Sequence, residues 1–216
     1  METKKISKSV LKRLPGYLSY LKSLPESAPS HISATALANA LGMGEVQVRK
    51  DLALVSDGGR PKVGYLREAL IDDIEQFLGY DNTTDAVLIG AGKLGRALMA
   101  YNGFSEYGLN ILAAFDVHPK TEKTEDGKPV YPISKLAQFC RAHKVLMGII
   151  TVPAEAAQEV ADQLIAEGIK AIWNFAPVHL DVPSSILVQN ENMATSLAVL
   201  SVHLQAQIKE EKEIKK

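Results

Sequence analysis

Apolar residues recur along this chain first at helical spacing and then, from Asp85 onward, in short strand-like runs separated by helices. From Ser9 to Ser23 the positions Val10, Leu11, Leu14, Tyr17, Leu18 and Leu21 predict one buried helix face, disturbed in its middle by Pro15 and Gly16. Ile32 to Leu41 predicts a short helix with Ser33 as its N-cap. Gly42-Met43-Gly44 reads as a turn, and Glu45 to Val55 as the next helix, with Val46, Leu52 and Val55 facing inward. Two short helices around a glycine-containing turn outline a helix-turn-helix. Ser56 to Tyr65 is glycine-rich and basic and ends on an aromatic, which predicts a hairpin loop, or wing. Leu66 to Leu78 returns to helical spacing through Leu70, Ile71, Ile74, Phe77 and Leu78, and Gly79 with Asp81-Asn82-Thr83-Thr84 marks a domain boundary.

Beyond that boundary, strands are predicted at Ala86–Ile89, Ile111–Phe115, Val145–Thr151, Ala171–Trp173 and Ile186–Val188. Helices are predicted at Leu94–Tyr101, Ser134–Ala142, Ala154–Glu167 and Met193–Lys212. Buried apolar strands alternating with helices predict a parallel sheet with crossovers. The expected fold is therefore α/β: an N-terminal winged helix-turn-helix domain, then a Rossmann-type doubly wound parallel sheet, then a long C-terminal helix. Met193, Leu197, Leu200 and Leu204 form an apolar stripe on that last helix beside the small Ala194, Ala198 and Ser201. Such a stripe needs a large surface to cover it, and a partner subunit supplies one.

The strand at Ala86–Ile89 runs into Gly90-Ala91-Gly92-Lys93-Leu94-Gly95 and then into a helix, the context that makes Gly-x-Gly-x-x-Gly a dinucleotide fingerprint. Gly90 allows the tight turn, Gly92 lets the backbone approach a pyrophosphate, and Gly95 lets the helix pack close to the strand. The helix start favours the anionic phosphates. Lys93 suits either a pyrophosphate contact or solvent. Asp116 lies about 20–26 residues beyond the glycines, the expected place for the acid that binds ribose hydroxyls and repels a 2′-phosphate. It favours NAD(H) over NADP(H), with His118 and Lys120 nearby; a strand-end aspartate capping a turn is the plainer alternative. Thr151-Val152-Pro153-Ala154 closes a strand whose carboxyl end faces the same crevice.

The charge balance adds a second partner. The 216 residues carry a net charge of −1, yet residues 1–67 hold 11 Lys/Arg against 5 Asp/Glu, and residues 68–216 hold 13 against 20. A basic front on an acidic body suits an anionic polymer held at one end, although a small domain also reaches this balance by chance. Gln47, Arg49 and Lys50 cluster on one face of the second short helix. Gln and Arg read base edges and Lys more often holds phosphate, whereas a plain solvated face carries the same residues. Arg60 and Lys62 in the wing suit phosphate or a minor groove.

Other chemistry is sparse. The single cysteine, Cys140, excludes an intrachain disulfide and a cysteine-rich zinc site, and reads as a buried structural thiol. The histidines His31, His118, His143, His179 and His203 show no metal-ligand spacing, and no Ser/His/Asp motif is present, so neither metal nor catalytic residues are assigned. His179 suits a place near a ligand or a structural or solvated one. Met1-Glu2-Thr3-Lys4-Lys5 leads into no signal-peptide core, and the longest apolar runs fall short of a membrane span, so a cytoplasmic protein without membrane contact is expected.

The chain resembles the Rex family of bacterial redox-sensing repressors over nearly its whole length. The motifs that carry the resemblance are Arg13-Leu14-Pro15-Gly16-Tyr17, Gln47-Val48-Arg49-Lys50-Asp51-Leu52, Val63-Gly64-Tyr65, the glycine loop through Leu98, Tyr101-Asn102-Gly103-Phe104 and Ala114-Phe115-Asp116. Thr151-Val152-Pro153-Ala154 and Gly168 to Pro177 complete the set. The resemblance implies a homodimer with an exchanged C-terminal helix that binds an inverted-repeat operator in double-stranded DNA when NAD+ dominates and releases it when NADH binds. It implies that Gly90, Gly92, Gly95 and Asp116 hold the dinucleotide and that Arg49 and Lys50 face DNA. It also implies a switch contact joining Arg13, Tyr101 and position 192. The chain departs from the family at Lys93, where Asn is common, at Val55 to Gly59, and at Lys123-Thr124-Glu125. It also has Asn192 where an acid is usual, and Asn keeps hydrogen bonding without the charge.

The expected domains are 1–80 for DNA, 81–192 for NAD(H) and 193–216 for dimerisation. The expected function is a non-enzymatic repressor sensing the NADH/NAD+ balance. The alternatives are an NAD-dependent oxidoreductase, or a CoA- or nucleotide-binding regulatory module, against which Asp116 argues.

Overall fold

The computed structural model describes residues 7–214 and divides the chain into two compact units, Met1–Asn82 and Thr83–Lys216. The reading of Met1 to Lys5, and the last residues of the expected C-terminal segment, lie outside the described residues.

The first unit contains α1 (Lys8–Ser23), β1 (His31–Ile32), α2 (Ala34–Leu41), α3 (Glu45–Val55), β2 (Tyr65–Leu66) and α4 (Arg67–Leu78). Ser33 caps α2 as its sequence predicts, its hydroxyl accepting from the Ala36 N–H at 3.0 Å. Ile32 is not helical, however: it pairs with Tyr65 in a short antiparallel ladder that ties the chain ahead of α2 to the wing. Gly42 ends α2 in the left-handed conformation before the turn into α3. Val10, Leu14, Leu18, Leu37, Val48, Leu52, Leu70 and Ile74 fill the core.

Other expectations also need correction: Leu11 is exposed and does not join the buried face of α1. Pro15 does not interrupt α1, which runs unbroken from Lys8 to Ser23. A proline inside a helix costs about 3 kcal/mol, but the buried side chains on both sides of Pro15 enter one core and hold the halves in line. Val46 does not face inward: it is 64% exposed, and Val48 takes the buried place beside Leu52. Leu52 is buried and Val55 packs against the core as expected, so the inner face of α3 runs through Val48 in place of Val46.

A buried carboxylate ties α1 to α3. Asp51 is 1% exposed. Its Oδ2 accepts from Arg13 Nε at 2.7 Å and from the Tyr17 hydroxyl at 2.8 Å. Its Oδ1 accepts from Arg13 Nη2 at 3.0 Å and from Gln47 Nε2 at 2.9 Å. The lone pairs of the carboxylate are thereby all used. Burial alone raises the Asp51 carboxyl, but the bonds from Arg13, Tyr17 and Gln47 outweigh it and hold the group below its ordinary value. Burial, and then the bond to Asp51, push the Tyr17 phenol up to about 12.

The second unit begins with β3 (Thr84–Ile89), α5 (Lys93–Ala100) and a 3-10 turn at Asn102–Tyr107. β4 (Leu109–Asp116), β5 (Val130–Pro132), a 3-10 turn at Ile133–Lys135 and α6 (Leu136–His143) follow. Then come β6 (Met147–Ile150), α7 (Ala154–Ala166), β7 (Ala171–Asn174), β8 (Leu187–Asn190) and α8 (Met193–Ile214). The strands form one six-stranded sheet in the order β5-β4-β3-β6-β7-β8, every neighbouring pair parallel. This is the strand order of doubly wound dinucleotide-binding sheets. β5 escapes the periodicity because it is a three-residue edge strand ending in Pro132. Val87, Ile89, Phe115, Ile150, Ala157, Ala161 and Leu164 build one core cluster, and Ala86, Leu88, Met99, Ile111 and Ile149 another. Cys140 is buried, and burial, then Glu167, push its thiol up to about 11, in keeping with a structural role.

α8 differs from the other helices. Leu197, Val199, Leu200, Val202, Leu204 and Ile208 are all exposed in the single chain. Its apolar residues occupy more than one side, so they exceed the single stripe that the sequence predicts.

Asp51→Asn is expected to lower stability by about 2 kcal/mol, the order of losing charge-assisted bonds to a buried carboxylate. Because Asp51 binds its proton more weakly in the folded chain, its contribution is complete above the ordinary carboxylate pKa of about 3.9 and fades as pH falls through the lower folded value. Urea unfolding of both proteins across this acid range checks the sign: the difference between them should shrink on acidification. A difference independent of pH would contradict it.

Candidate functional site

The strand order reverses between β3 and β6, the chain building outward through β4 and β5 on one side and through β7 and β8 on the other. At such a switch point the carboxyl ends of the strands open a crevice for a ligand. Three backbone segments meet there closely. Thr151 N–H donates to the Ile89 carbonyl at 2.9 Å, and the Thr151 hydroxyl donates to the Gly90 carbonyl at 2.8 Å. Gly90 has φ of +104°, and a Cβ there would lie 2.9 Å from the Thr151 carbonyl carbon. A Cβ on Gly95 would lie 2.0 Å from the Gly90 oxygen. Glycine is required at both positions for α5 to start against β3.

Gly92 is different. A Cβ at this position meets nothing within 4 Å. No protein atom demands glycine there, and the open space lies at the N-terminus of the eight-residue α5, where backbone N–H groups favour an anion. The residues present therefore fit a pyrophosphate brought against the loop.

Asp116 closes the far side. Its Oδ2 accepts from the Ala91 N–H at 2.7 Å, and its Oδ1 from the His118 N–H at 2.9 Å. The turn-capping role is real, and each oxygen keeps a lone pair able to accept from a ribose hydroxyl. Gly90, Gly92, Asp116, Thr151, Val152 and Pro153 line one cleft of about 240 Å³, together with Ile133, Val117 and Ala156. Of the other expected residues, Ala91 is bonded to Asp116, Lys93 is exposed on the first turn of α5, Leu94 is half-buried and Gly95 is packed inside. Arg96 was not foreseen: its Nε donates to the Ala91 carbonyl at 3.0 Å and its Nη2 to Thr121 Oγ1 at 3.1 Å, bracing the loop from behind. An arginine directly after the last glycine is its only mark in the sequence. His179 is exposed and does not line the cleft. Among the described residues, no group of three or more His, Cys, Asp or Glu is placed to hold a metal, and no helix is long and apolar enough to cross a membrane.

The first unit presents the other set. Arg49 and Lys50 are exposed on α3, and Arg49 is paired with Glu45 one turn earlier. Gln47 is exposed too, but its amide is already engaged. The Asp51 carboxylate only accepts, so the bond at 2.9 Å fixes which end of the Gln47 amide is nitrogen and orients the group. Asp51 has no role that the sequence assigns, and Tyr17 only a place on the buried face of α1; the i,i+4 spacings Gln47/Asp51 and Arg13/Tyr17 are the legible trace of their network. In the wing, Arg60 and Gly64 exchange backbone bonds of 2.9 Å around a tight turn, with Lys62 exposed at its tip at φ of +65°.

The expected switch residues have partners of their own. Arg13 is held by Asp51 within the first unit. In the second, Tyr101 is 52% exposed with its ring edge-on to Phe104 at 4.8 Å. Asn192 Oδ1 accepts from the Thr195 N–H at 3.1 Å and caps α8, a place aspartate fills equally well.

Known proteins match both units. Residues 81–178 match the family described as CoA binding domain, and residues 5–53 match the family described as putative DNA-binding protein N-terminus. The redox-sensing transcriptional repressor Rex of Porphyromonas gingivalis is 43% identical over 197 residues, covering 91% of this chain and 90% of that protein. The protein of the same name from Treponema denticola is 41% identical over 197 residues, covering 89% and 92%. Among solved structures, RSP in complex with β-NAD+ and operator DNA is similar with a TM-score of 0.87 at 32% identity, covering 99% of each chain. RSP in complex with β-NADH is similar with a TM-score of 0.84 at 32% identity, covering 97% of this chain and 99% of that one. With relatives this similar over nine-tenths of its length, and with the glycine loop and the helix-turn-helix in place, the chain belongs to the Rex family of redox-sensing transcriptional repressors.

Proposed function

We propose that the chain is a homodimeric repressor that binds an inverted-repeat operator in double-stranded DNA and answers to the NADH/NAD+ ratio, NADH binding promoting release. The observation that carries this reading is the glycine loop: Gly92 open to the outside, and Asp116 bonded to the Ala91 N–H with acceptor capacity to spare. The dinucleotide supplies the redox signal, and the chain holds it without acting on it as an enzyme. Gly90 to Gly95 hold the pyrophosphate, Asp116 the ribose, and Thr151, Val152 and Pro153 the facing wall. Gln47, Arg49 and Lys50 enter the major groove, and Arg60 and Lys62 follow the backbone or the minor groove. The domains run 1–80, 81–192 and 193–216, the last pairing the subunits. Arg13, Tyr101 and Asn192 form the switch. The protein works in the cytoplasm.

A second reading has its own support. The match of residues 81–178 to a CoA binding domain keeps CoA as a candidate ligand for the same cleft. Titration calorimetry separates the two. NADH is expected to bind more tightly than NADPH or CoA, because the Asp116 carboxylate accepts from hydroxyls and repels a phosphate. Asp116→Ala should lower NADH affinity and narrow its lead over NADPH. Equal binding of NADH and NADPH by the wild type would remove the role given to Asp116, and tighter binding of CoA would favour the second reading.

Arg49→Ala is expected to weaken operator binding roughly fivefold to a hundredfold, the value of a bidentate base contact of about 1–3 kcal/mol, and to leave NADH affinity unchanged. Fluorescence anisotropy with a labelled duplex measures the first quantity. An unaltered operator affinity would return the α3 face to a solvated surface.

Removal of residues 193–216 should convert a dimer into a monomer or an aggregate. The exposed Leu197, Leu200 and Leu204 motivate this, since water-facing apolar residues in such number need cover. Light scattering that finds a stable dimer after truncation would show that the subunits pair elsewhere.

A further inference from the structure

The exposed face of α3 carries a residue that the core does not explain. Val46 is 64% exposed, while Val48 and Leu52 on the same helix are fully buried. Arg49 and Lys50 lie three and four positions further along, so Val46 shares their outward face. It also precedes Gln47, whose amide is oriented by the buried Asp51.

A single exposed valine is ordinary on a protein surface. This one sits in the first turn of the helix that follows the helix-turn-helix turn. The N-terminal residues of such a helix are the ones that approach base edges in a major groove. The other side chains on this face account for the polar features of that groove. Glutamine matches adenine, and arginine matches guanine or phosphate, as does lysine. One feature of the groove is apolar, the C5 methyl of thymine, and it calls for an apolar side chain. Valine suits this use for a further reason. Its β-branched side chain has one strongly preferred rotamer in a helix, so it presents its methyl groups in a set direction with little entropy to lose on binding. The Asp51 network holds α3 against α1 and so sets where that face points within its unit.

We propose that Val46 is a specificity-determining residue that selects a thymine in each operator half-site by packing its γ-methyl groups against the C5 methyl in the major groove. The proposal rests on the DNA-binding reading of α3 and adds to it a base preference and the atom that carries it.

The test uses the full chain and duplexes that it selects from a randomised library. Each thymine of the selected duplex is replaced in turn by deoxyuridine, which deletes the methyl group and keeps base pairing. For the wild type, one replacement per half-site is expected to lower affinity roughly fourfold, the worth of one buried methyl. Val46→Ala should bind the thymine and deoxyuridine duplexes alike at that position and keep the wild-type penalties elsewhere. Val46→Ile should retain the discrimination. Because Val46 is exposed and alanine and isoleucine are no worse helix formers than valine, neither variant should lower the melting temperature, which separates a lost contact from lost folding. If no replacement affects the wild type, or if Val46→Ala keeps every wild-type penalty, Val46 reads no methyl and the proposal is overturned while DNA binding stands. If no duplex is enriched at all, the DNA-binding reading fails and takes this proposal with it.

Discussion

A buried carboxylate with all its lone pairs occupied is the interaction on which the first unit depends. Asp51 cannot be dehydrated alone at acceptable cost, and only the donors from Arg13, Tyr17 and Gln47 make its burial tolerable. Those donors come from two helices, so the charge fixes α3 on α1. Arg13 and Tyr17 also stand on either side of Pro15, and their shared partner helps hold α1 straight where the backbone has lost a bond. The same carboxylate reaches the surface through the Gln47 amide, which it orients. The core of the first unit and the proposed DNA-facing surface therefore share one charged group.

The second unit rests on a steric constraint instead. β3, α5 and β6 come together so closely that Gly90 and Gly95 admit no side chain, and Thr151 bonds both Ile89 and Gly90. Gly92 is free of such pressure. That contrast distinguishes glycines that serve the fold from the glycine that leaves room for a ligand. Asp116 then joins the end of β4 to the loop through Ala91, while Arg96 braces it from the other side. The loop is preformed, and preorganisation reduces what binding must spend on ordering it.

Much of this was legible in the sequence because it rests on local patterns. The glycine spacing, the strand before it and the acid after it need no tertiary information, and neither does the Ser33 cap or the turn at Gly42. What escaped depends on contacts far apart in the chain. Val46 and Val48 are both valines on one helix, and only packing into the shared core of the first unit decides that Val48 is the inner one. β1 and β2 are two residues long, too short for any period, and exist because they pair with each other. β5 is short and ends in proline, yet it finds a place at the sheet edge beside β4. Pro15 looks like a break until the core on both sides of it is known. Asp51 looks like a surface charge until Arg13 and Tyr17, more than thirty positions earlier, are brought to it.

NADH in the glycine-loop cleft is expected to weaken the hold of α3 on DNA. Anisotropy of a labelled selected duplex measures this, with the protein held in saturating NAD+ and then titrated with NADH. Operator affinity is expected to fall roughly tenfold, a coupling of about 1.4 kcal/mol, and to return when excess NAD+ is restored. An operator affinity that is the same in NAD+ and in NADH, with both nucleotides shown to bind, would contradict it.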